Sequence, residues 1–165
     1  MYDGRAEFRY LFSGVAQGGG GGLADAAGKI WALPDTAAGL IYGGIGYAAG
    51  WINYADGGQA APPTVTLGFN AIEFLRDPLN VSAITLGNTI NYGLSMGPYS
   101  PSPESPFHTV GMHELQHTYQ SEILGPLFMP TAALSLGLGS AIDGNSHGPA
   151  SFMERGPQQD PPQPW

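Results

Sequence analysis

The sequence contains no cysteine. A disulfide framework, a thiol nucleophile and a cysteine-ligated structural zinc site are therefore excluded at the outset. Basic residues are almost as scarce: 5 Lys and Arg stand against 13 Asp and Glu, and Lys29 is the single lysine. A nucleic-acid-binding face needs clustered cations to displace phosphate counterions. With a net charge of −8 and no basic run, the sequence predicts no nucleic-acid partner. Charged residues of either sign reach only 11%. Met1 to Tyr10 alternates charged and aromatic types and lacks the apolar core of a secretory signal.

What is present suits one small domain. The 165 residues are 42% hydrophobic, enough to bury a single core. The 26 Gly and 15 Pro make the chain turn-rich, while 7 Phe, 8 Tyr and 3 Trp argue against simple low-complexity disorder. Acidic charge is unevenly spread. No Lys or Arg falls between Arg76 and Arg155, whereas Asp77, Glu104, Glu114, Glu122, Asp143 and Glu154 all do. A negative field of this kind favours a bound cation.

The order of segments predicts a flexible N-terminal stretch and glycine connector over 1–22, a folded domain over 23–155, and a disordered tail over 156–165. No internal repeat is expected. Leu23 to Leu33 reads as a short helix stopped by Pro34, and Asp35 or Thr36 as the cap of a second helix, Ala37 to Ile52. That uncharged Gly/Ala-rich segment covers ~24 Å, short of a ~30 Å hydrocarbon layer. A buried core helix is the expectation, and a membrane role for 36–52 the lesser alternative. Thr64 to Leu75 and Ser82 to Tyr92 have β character. Phe107 to Leu124 reads as the best-punctuated helix, with Ser105-Pro106 before it and Gly125-Pro126 after it. A last helix is expected over Pro130 to Leu138.

The motif that carries chemistry is His113-Glu114-Leu115-Gln116-His117. Two histidines four residues apart on a helix share one face, one turn apart, and can hold one metal ion. Glu114 sits about 100° further round, where it can act as a base on water without ligating the ion. Chance would place HExxH roughly 0.003 times in a chain of this length and composition. Zinc is the expected metal, and Glu114 the expected catalytic base. The third ligand is left open by spacing: Glu154 is preferred, His147 follows, and Asp143 is a further candidate. The metzincin pattern is excluded, because it would need Gly at Gln120 and His at Ile123. Glu122 lies about 180° from His113 and is expected to face solvent. Gln120, within ~20° of His113, is expected to orient a ligand, to meet substrate or to cap a neighbouring backbone group. Tyr92, Tyr99 and Tyr119 are candidate oxyanion donors that nothing in the sequence ranks.

AITLGN at Ala83 to Asn88, HELQHTYQSEILGPLFMP at His113 to Pro130 and FMER at Phe152 to Arg155 resemble a family of small bacterial HExxH domains. Gly28 to Gly50 is similar to the start of C-terminal toxin domains in Rhs-type polymorphic toxins. The resemblance implies a metallopeptidase effector, secreted by a bacterium into a competing cell and neutralised by a cognate immunity protein. It also implies a functional role for Glu154, which matches the family's closing glutamate.

The expected fold is α+β and zincin-like: the motif helix against a small antiparallel sheet from residues 64 to 92, with Gly/Ala-rich helices around it. Ser82 to Tyr92 is the strand expected to bind extended substrate. The expected function is a zinc-dependent hydrolase acting on protein or peptide as an antibacterial toxin. The alternatives are a membrane-perturbing toxin using 36–52 and a metal-stabilised binding domain without catalysis.

Overall fold

The computed structural model describes residues 22–103 and 107–165. The connector expected over 1–22 lies outside them except for Gly22, and so does the Ser105-Pro106 pair. Among the described residues the order is α1 (Gly22–Trp31), α2 (Leu33–Ala55), β1 (Thr64–Gly68), β2 (Ala71–Asp77), β3 (Ala83–Leu86), β4 (Thr89–Gly93), α3 (Val110–Leu124) and α4 (Phe128–Asp143). A 3-10 turn, Gly125–Leu127, joins the last two helices. The fold is thus mixed α+β, as expected.

Each stretch predicted as one strand is a hairpin. Thr64 to Leu75 folds at Phe69-Asn70, where both residues have positive φ, 44° and 63°. Ser82 to Tyr92 folds at Gly87-Asn88, with Gly87 at φ 63°. Positive φ at the centre of a two-residue loop matches the right-handed twist of the flanking strands. The phrase Thr-Leu-Gly recurs at both hairpins, ending just before the first turn and supplying the first residue of the second, a short repetition that the sequence reading overlooks.

The sheet order is β1-β2-β4-β3. The two hairpins are antiparallel, but β2 and β4 run parallel, which corrects the all-antiparallel expectation. The cause lies in residues 78–82, which pass over the end of β4 and place β3 outermost. Asn80 Nδ2 donates to Asn91 O (3.0 Å), and Gly93 N–H donates to Ser82 O (2.6 Å). A side chain at Gly93 would meet the Asn80 carbonyl, so the crossing needs glycine there.

The two sheet faces differ in character. One carries Ala71, Ile90 and Tyr92, which pack with Phe69, Val110 and Leu115 to form the core beneath α3. The other carries Thr89, Asn91 and Asp77, and α2 lies on it through Gly39, Gly43 and Gly46, with Gly50 over Pro63. The expectation of a buried core helix therefore fails for α2. Gly39, Gly43, Gly46 and Gly50 are buried, while Leu40, Ile41, Ile45, Trp51 and Ile52 are exposed. Only glycine allows a helix backbone this close to the sheet, where Phe74 and Leu86 also lie beneath it, and the large residues are left on the opposite side.

The cap assignment also changes. The second helix starts at Leu33, because proline is tolerated in a first turn. Asp35 is buried and its carboxylate accepts the Met129 N–H, and Thr36 Oγ1 accepts the Asn88 N–H at 2.9 Å. The motif helix starts at Val110, three residues later than predicted. Thr109 caps it by accepting the Met112 N–H at 3.3 Å. The last helix is longer than predicted and ends at Gly144, a left-handed cap with φ 68°. The tail over 156–165, expected to be disordered, folds back on itself. Gln163 N–H donates to Gly156 O (2.9 Å), and Gly156, Pro157 and Pro162 are buried. Its prolines restrict the chain, and α3 supplies a partner for its carbonyls, as described below.

Candidate metal centre

His113 and His117 project from one face of α3, one turn apart, as the spacing predicts. Their rings lie 5.0 Å apart between centroids, with Nε2 atoms 3.2 Å apart. Glu154 reaches both from the segment after α4. Its Oε2 lies 3.2 Å from His113 Nε2, and its Oε1 lies 3.5 Å from His117 Nε2. All three side chains are largely withdrawn from solvent. Of the three candidates for the third ligand, only Glu154 joins the histidines, with ligand atoms within 4.8 Å of one another. His147 sits in an exposed turn beside Ser146 Oγ, and Asp143 accepts the Ala150 N–H at 2.6 Å. Asp143 ends α4 and His147 sits in the loop after it, and neither joins the cluster.

The cluster fits a tetrahedral cation. Zinc–nitrogen and zinc–oxygen bonds of about 2.0–2.1 Å at tetrahedral angles separate neighbouring ligand atoms by about 3.3 Å. The two Nε2 atoms are 3.2 Å apart and Glu154 Oε2 is 3.2 Å from His113 Nε2, both near that value, while His117 Nε2 lies 3.5 Å from the other carboxylate oxygen, Oε1. Glu154 Oε2 is moreover buried without a hydrogen-bond donor, although it lies at ion-pair distance from His113 Nε2. A buried carboxylate oxygen left in that state is costly unless a cation completes it.

The electrostatics agree. Burial by itself would lower the His117 pKa, but hydrogen bonding and charge from Glu154, the charge of Glu114 and the Gln120 contact push it up to about 9. Burial likewise opposes ionisation of Glu154, yet His113 and His117 hold its carboxyl well below the usual range. A metal dication would compete with that proton for the same lone pairs.

Gln120 fixes the tautomer of His117. Its Nε2 faces two carbonyl oxygens, Met153 O at 2.8 Å and Pro164 O, which can only accept. The amide is therefore oriented with Nε2 donating, and Oε1 must be the atom 2.8 Å from His117 Nδ1. Nδ1 then donates, and in the neutral ring the Nε2 lone pair points at the cluster. Gln120 thus contacts a candidate ligand and caps backbone, in line with two of the roles the sequence allows. Its second carbonyl, from residue 164, has no sequence signal.

Glu114 is buried beside the cluster, and its Oε2 accepts a hydrogen bond from Thr85 Oγ1 at 2.6 Å. Thr85 lies on β3, the outermost strand, which packs along α3. Sequence reasoning missed Thr85 as a functional residue. Its alternation with Ile84 and Leu86 was visible, but the partner across from it was not.

Two further expectations change. Glu122 is half-buried, not solvent-facing: Asn70 Nδ2 and Asn88 Nδ2 both donate to its Oε1 at 2.8 Å. The face of α3 away from the histidines meets both hairpin turns, and burial raises the Glu122 pKa. Among the tyrosines, Tyr92 is fully buried and donates to Glu73 Oε1 (3.1 Å), which commits its hydroxyl to structure. Tyr99 packs against Phe69, and Tyr119 borders the core, where burial pushes its pKa up to about 12. No protein-family model matches this chain, and no curated protein or solved structure is significantly similar to it.

Proposed function

We propose that the chain is a zinc-dependent hydrolase of the metallopeptidase type, with His113, His117 and Glu154 as metal ligands and Glu114 as catalytic base. The observation that carries the reading is the meeting of Glu154 with the two histidines within metal-ligating reach, 37 residues along the chain from His117. Bound zinc would lower the pKa of a coordinated water to about 7 and polarise a substrate carbonyl. The rest is done by the chain. Thr85 pins one oxygen of Glu114, leaving the other to take a proton and return it to the leaving group. Gln120 keeps the His117 Nε2 lone pair directed at the ion. The outer edge of β3 borders the motif helix, a place where an extended peptide can add as a further strand. That supports a zincin-like arrangement and a polypeptide substrate.

The biological setting we propose is that of a secreted antibacterial effector, acting inside a target cell and held in check by an immunity protein. It rests on the sequence resemblance in the HELQH–LGPLF and FMER phrases. One experiment tests the chemistry: metal analysis with growth assays of wild type, His113→Ala and Glu114→Gln. Wild type should carry about one zinc per chain, and His113→Ala far less. Glu114→Gln should keep the metal but no longer arrest growth of a bacterium expressing it. Equal zinc in wild type and His113→Ala would remove the site. Iron in place of zinc would redirect the reading, since two histidines and a carboxylate also hold non-haem iron.

A further inference from the structure

We infer that the outer face of α2, with the adjoining start of α4, is buried in the interfacial layer of a lipid bilayer, the helix lying in the membrane plane. Burial along α2 is inverted. Leu33, Leu40, Ile41, Ile45, Trp51 and Ile52 are exposed, and they fall within an arc of about 140°. Gly39, Gly43, Gly46 and Gly50 occupy the opposite side and are buried. Isolated exposed apolar side chains are ordinary, but a continuous stripe along 23 residues marks a binding surface.

The helical run Val110–Asp143 behaves in the same way. It consists of α3 and α4 joined through the turn at Gly125, and only 22% of its most apolar stretch is buried. Within α4, Ser135 and Gly139 are buried, while Leu134, Leu138 and Ile142 are exposed. The two helices meet at their starts, where Asp35 accepts the Met129 N–H, and Leu33 and Met129 are both exposed there.

The chemistry of the α2 face selects lipid over protein. No Asp, Glu, Lys or Arg occurs between Asp35 and Asp56, so the face offers no ionic partner. Protein interfaces combine aromatic and arginine anchors with about one hydrogen bond per 100–200 Å². This face is instead mainly aliphatic, which suits acyl chains that need no directional contact. Aromatic residues gather at its far end, where Tyr47–Trp51 and Trp51–Tyr54 pack edge to face at 6.4 and 5.9 Å. Such rings favour the headgroup boundary.

The packing also fixes the orientation. From Gly39 to Gly50 the helix is seated on the sheet and its flanking loop, against Thr89, Asn91, Asp77 and Pro63 in turn. A membrane-crossing α2 would carry an open-edged sheet into hydrocarbon, where its unpaired backbone groups would have no partner. Lying in the plane puts the apolar stripe in lipid and leaves the sheet in water.

The inference stands apart from the metal reading, and the test keeps the two separable. The full chain is floated with phosphatidylcholine vesicles, which suit a chain of net charge −8, and zinc content is measured on the same samples. Wild type should rise with the vesicles. Ile41→Asp combined with Ile45→Asp should lower partitioning at least tenfold, with unchanged circular dichroism and zinc content, since both residues are exposed. Should that double variant unfold, Ile45→Asn replaces it. In wild type, brominated phosphatidylcholine should quench tryptophan emission, and Trp51→Phe should remove part of the quenching. Wild type that stays in the aqueous layer at every lipid concentration, with unquenched emission, overturns the inference. So does a lipid-indifferent dimer that the double variant makes monomeric, which would assign the face to a second copy of the chain.

Discussion

Replacing Gln120 by methionine tests whether the centre is built by its supporting contacts as well as by its ligands. The side chain is fully buried and holds three groups at once: His117 Nδ1, Met153 O and Pro164 O. Methionine has similar length and no hydrogen-bonding capacity to match. Met153 O and the His117 N–H would then be left unpaired in a buried setting, at roughly 1–3 kcal/mol each. Pro164 O lies nearer the surface and can turn to water. The metal-free variant should therefore lose about 2–6 kcal/mol of folding stability. Zinc affinity should fall separately, by about 10- to 100-fold, or about 1.4–2.7 kcal/mol, because nothing then holds the His117 ring in the required tautomer. Urea unfolding in chelator measures the first quantity, and competition against a chromophoric chelator the second. Gln120→Glu sharpens the comparison. A carboxylate still accepts from His117 but repels the two carbonyls, so it should lose stability while keeping most of the zinc affinity. Wild-type zinc affinity in Gln120→Met, within twofold, would refute the reasoning. So would equal affinity losses in both variants.

Three other outcomes follow from the packing. Gly46→Ala would drive a methyl group into the Asp77 carboxylate and should cost about 1–3 kcal/mol, whereas Gly44→Ala, facing open space on the same helix, should gain up to about 1 kcal/mol; urea midpoints of the pair decide it. Glu122→Ala removes the shared acceptor of Asn70 and Asn88 and should cost about 2 kcal/mol by the same measure, against under about 0.5 kcal/mol for a solvent-facing charge. Glu73→Gln should flatten part of the pH dependence of stability. Burial raises the Glu73 pKa above 4.5, despite hydrogen bonds from Thr66 and Tyr92, so the folded chain holds this proton more tightly than the unfolded chain does. The stability it contributes is full below pH 4.5 and is lost as pH rises through the folded value. Urea midpoints from pH 4 to 8 should accordingly decline less in the variant than in wild type.

The parts of the centre that share one helix were legible in the sequence, because helical geometry alone places His113, Glu114 and His117. Glu154 was preferred among three downstream candidates but could not be derived, since its approach depends on how α4 and its following loop run. Thr85 was beyond reach for a related reason. Its partner is set by a crossover that puts β3 outermost and turns its Thr85 face toward α3. The strands were found as two long segments rather than four short ones, because Phe69-Asn70 hides a positive-φ turn behind a bulky residue that rarely adopts one. The inverted packing of α2 defeated the usual rule that apolar residues lie inside. That rule presumes water on every side.

Glu154 follows His117 by 37 residues and comes from a stretch with no regular secondary structure of its own. An ion shared by the two would tie shut a loop of that length, as a disulfide does, in a chain that has no sulfur to spare for one. By loop-closure entropy such a tie is worth about 4 kcal/mol. Stripping the ion would therefore loosen the arm beyond α4, leaving it to its Gln120 and Ser135 contacts, as well as silence the chemistry, and the loosening would show first in proteolysis near residue 145.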